Sequence, residues 1–296
     1  MENNSLVRTV FIAGATGYLG RHLVAEYKAR GWQVRALARS ANAAKRAGIK
    51  PDEVVVASAT DPQQLRGIME GAELVVSALG ITRQRDGLSY WDVDYQANVN
   101  LLEEAIAADV KRFAYVHVLN AEAMTGIPLV DAKNAFVERL IRSPIASTVV
   151  RPSGFFSDLE AFLDMAISGR IWLLGDGSLR LNPIHGADLA AAMAEAISDG
   201  RDDIEIGGPD ILSQAAVAEL AFSAIGTDVR ITRLPDFLRR IAQYLAPRLL
   251  PKNVLGPLEF FLAAIGRDMV AEPYGSRRVV DHFSDLLLSR QNGMER

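Results

Sequence analysis

Over the first 150 residues, apolar and polar positions follow two alternating rhythms. Short β-branched runs at Thr9–Ala13, Gln33–Ala38, Val54–Ala57, Leu74–Ala78, Arg112–Val118 and Ser147–Val150 read as strands. Stretches with helical spacing lie between them, at Tyr18–Arg30, Ala41–Ala47, Gln63–Glu70, Trp91–Ala108 and Lys133–Arg142. A near-continuous apolar run such as Val54-Val-Val-Ala57 predicts a strand buried on both faces of a parallel sheet. The punctuation agrees. Gly31 closes the first helix, Ser40 can cap the second, and Asp61-Pro62 supplies an N-cap followed by proline at the first helical position. Strand–helix alternation of this kind predicts an α/β fold, a Rossmann-type doubly wound parallel sheet with right-handed crossovers.

After Pro152 the rhythm changes. A helical stretch at Phe155–Ile167 leads to a short strand and turn within Gly169–Gly177. Asp188–Ile197 reads as an alanine-rich helix and Asp203–Ile206 as a strand, and helical patterns follow at Ser213–Ile225, Asp236–Ala246, Val254–Ile265 and Val279–Leu288. The division this implies is a Rossmann core over residues 1–155, to which 183–207 returns, and a smaller, mostly helical substrate lobe from 156–182 and 208–296.

Composition narrows the function classes. The chain has 296 residues, about half of them apolar, which is enough for a sizeable core. A formal charge of −4 argues against a nucleic-acid binder. The absence of cysteine removes thiolate catalysis, disulfides and thiolate metal sites, and four scattered histidines without HxH or HxxxH spacing predict no metal site. The short polar start Met1–Val7 has no signal-peptide character, and no apolar run approaches the roughly 18 residues of a membrane span. The expected location is the cytoplasm.

The first candidate chemistry is Gly14-Ala-Thr-Gly-Tyr-Leu-Gly20, placed between an apolar strand and a helix. Gly14, Gly17 and Gly20 permit a tight turn, close phosphate approach and close helix–strand packing, so a dinucleotide pyrophosphate can rest on the helix N-terminus. An acid about 20 residues further on would bond a ribose 2′-hydroxyl. Between Tyr27 and Pro51 there is no Asp or Glu; the second strand carries Arg35 and ends at Arg39, followed by Ser40. A guanidinium at a strand end suits a 2′-phosphate, and Arg39 is the better placed because Arg35 lies mid-strand. The expected cofactor is NADP(H).

These residues carry a family resemblance. The GxxGxxG spacing of Gly14–Gly20 resembles that of extended and atypical short-chain dehydrogenases/reductases, more narrowly the nitrogen-metabolite-repressor-like (NmrA-like) NAD(P)H-binding proteins. Val93-Asp-Tyr-Gln-Ala-Asn98, Arg112-Phe-Ala-Tyr-Val116, Val150-Arg-Pro-Ser-Gly-Phe-Phe156 and Asn182-Pro-Ile-His-Gly-Ala-Asp-Leu189 look like the same group. The resemblance implies that Thr16, Tyr18 and Leu19 line the pyrophosphate and that Ser58 and Ala59 flank the adenine. Ser58 stands where the group often has aspartate. It further implies that Ala78, Leu79 and Gly80 pass beside the adenosine ribose and phosphates, and that Pro152, Gly154 and Phe155 approach the nicotinamide.

The family's dehydrogenases pair a Tyr-x-x-x-Lys motif with a serine. Here Lys133 matches the lysine, Leu129 replaces the tyrosine, and His117 stands at the serine position. Three readings follow. Lys133 holds the nicotinamide ribose while His117 supplies or orients the proton, since imidazole titrates nearest neutrality; or Lys133 is itself the acid/base, as in reductases resembling those of isoflavone metabolism; or the protein binds NADP(H) without chemistry. His117, between two valines, equally suits a hydrogen-bonded core position, and His185 reads as structural, with Asp188 starting a helix.

The leading expectation is an NADP(H)-dependent oxidoreductase that reduces a small-to-medium apolar carbonyl or enone-like compound. The alternative is a non-catalytic NADP(H)-binding regulator, sensor or assembly factor with a protein partner. Aromatic residues of the second half, among them Phe162, Trp172, Phe237, Tyr244, Phe260 and Phe261, suit an apolar pocket as well as a plain core. Residues 235–266 form two amphipathic helical segments with Arg239, Arg240, Arg248 and Lys252. They read first as a pocket lid, with peripheral membrane or protein contact as the alternative.

Overall fold

The computed structural model describes residues 7–81, 87–250 and 252–294. Most of the polar N-terminal stretch and Pro251 lie outside the described residues. The six expected strands form as β1 (Thr9–Ala13), β2 (Gln33–Ala38), β3 (Glu53–Val56), β4 (Leu74–Ser77), β5 (Arg112–Val116) and β6 (Ala146–Pro152). With two later strands, β9 (Asp203–Gly207) and β12 (Glu272–Pro273), they make an eight-stranded sheet ordered β12-β9-β6-β5-β4-β1-β2-β3. β1 pairs in parallel with β2 on one side and β4 on the other, so the order reverses at β1. In open α/β sheets ligands bind outside the strand C-termini at such a switch point.

The intervening helices are α1 (Tyr18–Ala29), α2 (Ala41–Arg46), α3 (Asn98–Ala107) and α4 (Pro128–Ile141). Three local expectations change. Among the described residues β3 is an edge strand, and Val54 and Val56, two positions apart and so on one face, are exposed, so its apolar run does not mean burial on both faces. The expected helix Gln63–Glu70 is a run of turns: Ile68 and Glu70 donate to carbonyls three residues back, and Gly67 has φ +75°, outside the helical region. The expected helix Trp91–Ala108 is α3 preceded by a π-helical segment, Trp91–Ala97.

Two compact units emerge. The first comprises residues up to 117, 125–151 and 190–204. Its core packs Phe11, Leu101, Phe113, Tyr115 and Phe136, each worth about 2–3 kcal/mol when fully buried. The returning segment is tied in where the Val149 N–H donates to the Asp202 carbonyl (2.8 Å) and Thr148 Oγ1 to that of Arg201 (2.7 Å).

The second unit comprises 118–124, 152–189 and 205–296. It holds α5 (Glu160–Ile167), β7 (Ile171–Leu174), β8 (Arg180–Leu181), β10 (Leu212–Ser213), α7 (Gln214–Ile225), β11 (Ile231–Leu234), α8 (Asp236–Leu249), α9 (Lys252–Ala264) and α10 (Val279–Met294). Helix α6 (Gly186–Ser198) starts in this unit and ends in the first. The second unit has its own core of Phe156, Leu163, Ile171, Phe222 and Phe283. Two polar stitches organise it. Asn182 donates from Nδ2 to the carbonyls of Gly208 and Ala271 and accepts the Ala271 N–H, all at 3.0 Å. Asp188, in the first turn of α6, accepts from the N–H groups of Ser276 and Arg277 and pairs with the Arg277 guanidinium.

Candidate functional site

The glycine loop leaves β1 at Gly14, whose φ of +75° suits glycine. A side chain there would also meet backbone, because a Cβ would lie 2.6 Å from the Ala78 carbonyl oxygen. Gly20 packs its Cα against the Gly14 carbonyl, which a Cβ would overlap. The Gly17 N–H donates to Gly14 O (3.0 Å), closing the turn, and Gly17 is the N-cap of α1. That helix start has no side-chain cap and no acid in its first turn. Its first N–H groups and the positive end of its dipole are thus available to an anion. Gly17 is exposed, Thr16 and Tyr18 are half-buried and Leu19 is buried. The residues fit a dinucleotide pyrophosphate.

Beside this loop, exposed Arg39 directly follows β2. Ser40 caps α2, its Oγ accepting the Ala43 N–H at 3.1 Å. Arg35 is engaged elsewhere: it donates to the Glu70 carbonyl (2.7 Å) and pairs with Glu53 (3.1 Å). At the end of β3, the Ser58 N–H donates to Gln64 Oε1 (3.0 Å), Ser58 Oγ meets Thr60 Oγ1 (2.8 Å), and the Ala59 carbonyl accepts from Asn100. Ala78 donates to the Ala13 carbonyl, Leu79 donates to Ser77 Oγ, and Gly80 is exposed.

Under Gly80 lies a buried charge pair that spacing alone did not reveal. The Lys133 ammonium stands 3.3 Å from Asp94 Oδ1 and donates to the Tyr115 hydroxyl (3.3 Å) and the Val116 carbonyl (3.2 Å). The ammonium is thus held by two hydrogen bonds and one ion pair. Asp94 Oδ2 accepts the Ile81 N–H, and a Cβ on Gly80 would lie 2.6 Å from Asp94 Oδ1 and 3.3 Å from Lys133 Nζ. Burial opposes the lysine charge, but Tyr115 and Asp94 outweigh it and hold Lys133 above the usual lysine value. Burial raises Asp94 too, against the pull of Lys133, and pushes the Tyr115 phenol up to about 12.

Asp94 reaches this position through the π-helical turn. Asn98 Nδ2 donates to the carbonyls of Val93 (3.2 Å) and Asp94 (3.0 Å), and its Oδ1 accepts from Ser77 Oγ (2.5 Å). A side chain taking over helix carbonyls widens the turn, and such turns recur at functional sites.

His117, just past β5, is buried, with Nε2 at 2.9 Å from Asn134 Oδ1. An amide oxygen accepts only, so Nε2 carries the proton and buried Nδ1 is left without a partner. Burial, then the charges of Lys133 and Arg151, depress the imidazole to about 3. His117 is neutral at physiological pH and holds no imidazolium proton to give. Pro152, Gly154 and Phe155 lie in the second unit. There Gly154 has φ +143°, and the Phe155 N–H donates to Asp158 Oδ2 (2.8 Å). His185 Nδ1 accepts the Ala187 N–H, and its ring packs edge-on against Phe156. Among the described residues, no group of three His, Cys, Asp or Glu is placed to hold a metal ion.

The first unit thus brings the glycine loop to the Ala78 backbone and Lys133 to Asp94, Tyr115 and Gly80. Sequence reasoning missed Asp94, Tyr115 and Asn134 as members of the site. Asp94 and Asn98 lie in the motif-like stretch Val93–Asn98, which was their available signal.

A family model described as NAD(P)H-binding matches residues 14–200. Divinyl chlorophyllide a 8-vinyl-reductase of Zea mays is 31% identical over 251 residues, covering 77% of this chain and 62% of that protein. Photosystem II assembly factor Ycf39 of Synechocystis is 24% identical over 230 residues, covering 76% and 70%. The chain spans about three fifths of the length of the divinyl reductases it matches. In fold, the chain resembles the NADPH-dependent quinone oxidoreductase QOR2 of Escherichia coli, crystallised with NADPH, with a TM-score of 0.74 at 21% identity over 94% of this chain and 99% of that one.

Proposed function

The chain belongs to the NAD(P)H-binding family, and from that membership we propose that it is an NADP(H)-dependent reductase of an apolar carbonyl or conjugated alkene. The observation that carries this reading is the buried Lys133–Asp94 pair beneath Gly80, an ionisable cluster kept in the core of the first unit at a strand-end turn. Unsupported buried charges are costly, so a pair of this kind at the mouth of a nucleotide fold marks a candidate site.

The bound nicotinamide would supply a hydride. Lys133 would hold its ribose by turning one ammonium proton from Tyr115 or Val116 toward a sugar hydroxyl, with Asp94 keeping the charge in place. Arg39 would take the 2′-phosphate, and the N-terminus of α1 the pyrophosphate. A proton for the reduced product would come from water ordered beside Lys133, whose ammonium keeps its own proton, and His117 would act as a neutral positioning group through Asn134. The conjugated-alkene class is favoured by the relatives named as divinyl reductases, the carbonyl class by the fold shared with a quinone reductase.

A second reading, an NADP(H)-binding assembly factor without turnover, is favoured by Leu129 in the tyrosine position and by the neutral His117, and it accords with the likeness to an assembly factor. NADPH absorbance, followed with a panel of aldehydes, ketones, quinones and enones, separates the two. The reductase reading expects oxidation with at least one class. Tight NADPH binding with no oxidation by any of them would sink it in favour of the second.

A further inference from the structure

Helix α8 presents its apolar side to solvent. Arg239, Gln243 and Ala246, spaced four and three residues apart, face the body of the second unit. There the Arg239 guanidinium donates to the Leu262 carbonyl of α9 (3.2 Å) and to Gln243 Oε1 (3.0 Å), and pairs with Asp236 (2.6 Å). The opposite face is made of Phe237, Leu238, Ile241, Tyr244, Leu245 and Leu249. Phe237 is 57%, Tyr244 65% and Leu249 72% exposed. An ordinary surface helix has the reverse arrangement, its apolar stripe inward and its charges outward. Single exposed apolar residues need no explanation; six on one face of a 14-residue helix do. A pocket lid would turn these side chains inward.

The charges on this helix narrow the choice of occupant. In a chain of formal charge −4, α8 carries three arginines against one acid. That acid, Asp236, sits at the helix start, paired with Arg239 and Arg240. Arg240 flanks the apolar face, and Arg248 rises through it, its guanidinium 4.1 Å from the centre of the Tyr244 ring. A dry protein interface would strand a cation in that place. A headgroup layer accepts it, because arginine extends to the phosphates while its stem and the neighbouring aromatic lie at the acyl boundary. Among the described residues no helix is long and apolar enough to cross a membrane. We propose that α8 lies flat on the surface of an anionic lipid bilayer, with Phe237, Ile241, Tyr244, Leu245 and Leu249 immersed and Arg240 and Arg248 among the headgroups. This inference stands apart from the reductase reading.

Flotation of the full chain with phosphatidylcholine vesicles, with or without phosphatidylglycerol, tests it. The expected result is co-flotation with the anionic vesicles, reversed by high salt, and little with the neutral ones. Tyr244→Glu and Leu245→Glu, at exposed positions, should each weaken binding at least about tenfold, and Arg248→Gln about fivefold. Unchanged far-ultraviolet circular dichroism and an unchanged urea-unfolding midpoint of the variants serve as the control for folding. Failure to float, equal flotation with neutral vesicles, or indifference to both glutamates overturns the proposal. So does self-association of the chain that the same glutamates abolish without any lipid binding, which would assign the face to a second copy.

Discussion

At the scale of single residues, the position of Arg39 at a strand end was legible from the pattern of the chain, and the structure places it exposed directly after β2. With a bidentate contact to a phosphate at stake, Arg39→Asp should weaken NADPH about 10–100-fold and NADH by only a few-fold, read by fluorescence titration. Equal losses would remove Arg39 from the 2′-phosphate. His117 was legible as a polar residue in an apolar strand, but sequence could not show that Asn134 takes Nε2 and that burial drops its pKa from 6.5 to about 3. A histidine kept neutral in the folded state makes the unfolded state the better proton binder between those values. Its stabilisation is therefore intact above pH about 6.5 and lost as pH falls toward about 3. Within this window the wild type should lose about 1.4 kcal/mol per pH unit relative to His117→Gln, measured by urea unfolding. Asp158, raised to about 6, works in the opposite sense, but it is common to both proteins and drops out of the difference. A constant difference between pH 6 and pH 4.5 would contradict the depressed histidine.

Elements were readable where period and punctuation coincide, as in β1, β2 and α1, whose expected starts agree with the structure. They were not readable where a side chain overrides the backbone. Nothing in the helical spacing of Trp91–Ala108 tells that Asn98 will take two carbonyls of the preceding turn and open it into a π-helix. The Lys133–Asp94 pair depends on that turn and joins positions far apart in sequence, so it had no local signature. Likewise, the two-residue strands β8, β10 and β12 exist only through their tertiary partners. Asn98→Leu removes the ties to Val93 and Asp94 and leaves the buried Ser77 hydroxyl without its acceptor. It should cost about 3 kcal/mol in urea unfolding and lower NADPH affinity, since Asp94 loses its support. A loss below about 0.5 kcal/mol would mean that the widened turn stands without Asn98.

At the scale of the molecule, the resemblance to atypical short-chain dehydrogenases/reductases holds, in the NAD(P)H-binding match and in the doubly wound sheet. Since the two units carry separate cores, ligand binding need not stabilise both alike. NADPH at about a hundred times its Kd should stabilise the unit that binds it by about 2.7 kcal/mol. Hydrogen exchange should show this as slower opening of β1, β4 and β5 in the first unit. Protection confined to the second unit would move the cofactor away from the glycine loop.

The interleaved path of the chain also governs its birth. The signature loop leaves the ribosome well before β6, yet the unit that holds it is finished by residues 190–204. Until they emerge, the Val149 N–H and the Thr148 hydroxyl lack the carbonyls of Asp202 and Arg201. At roughly 5–20 residues per second, the gap between β6 and that returning segment lasts on the order of seconds. A nascent chain stalled between them would expose an unfinished sheet edge, which makes that interval the natural moment for a chaperone to bind.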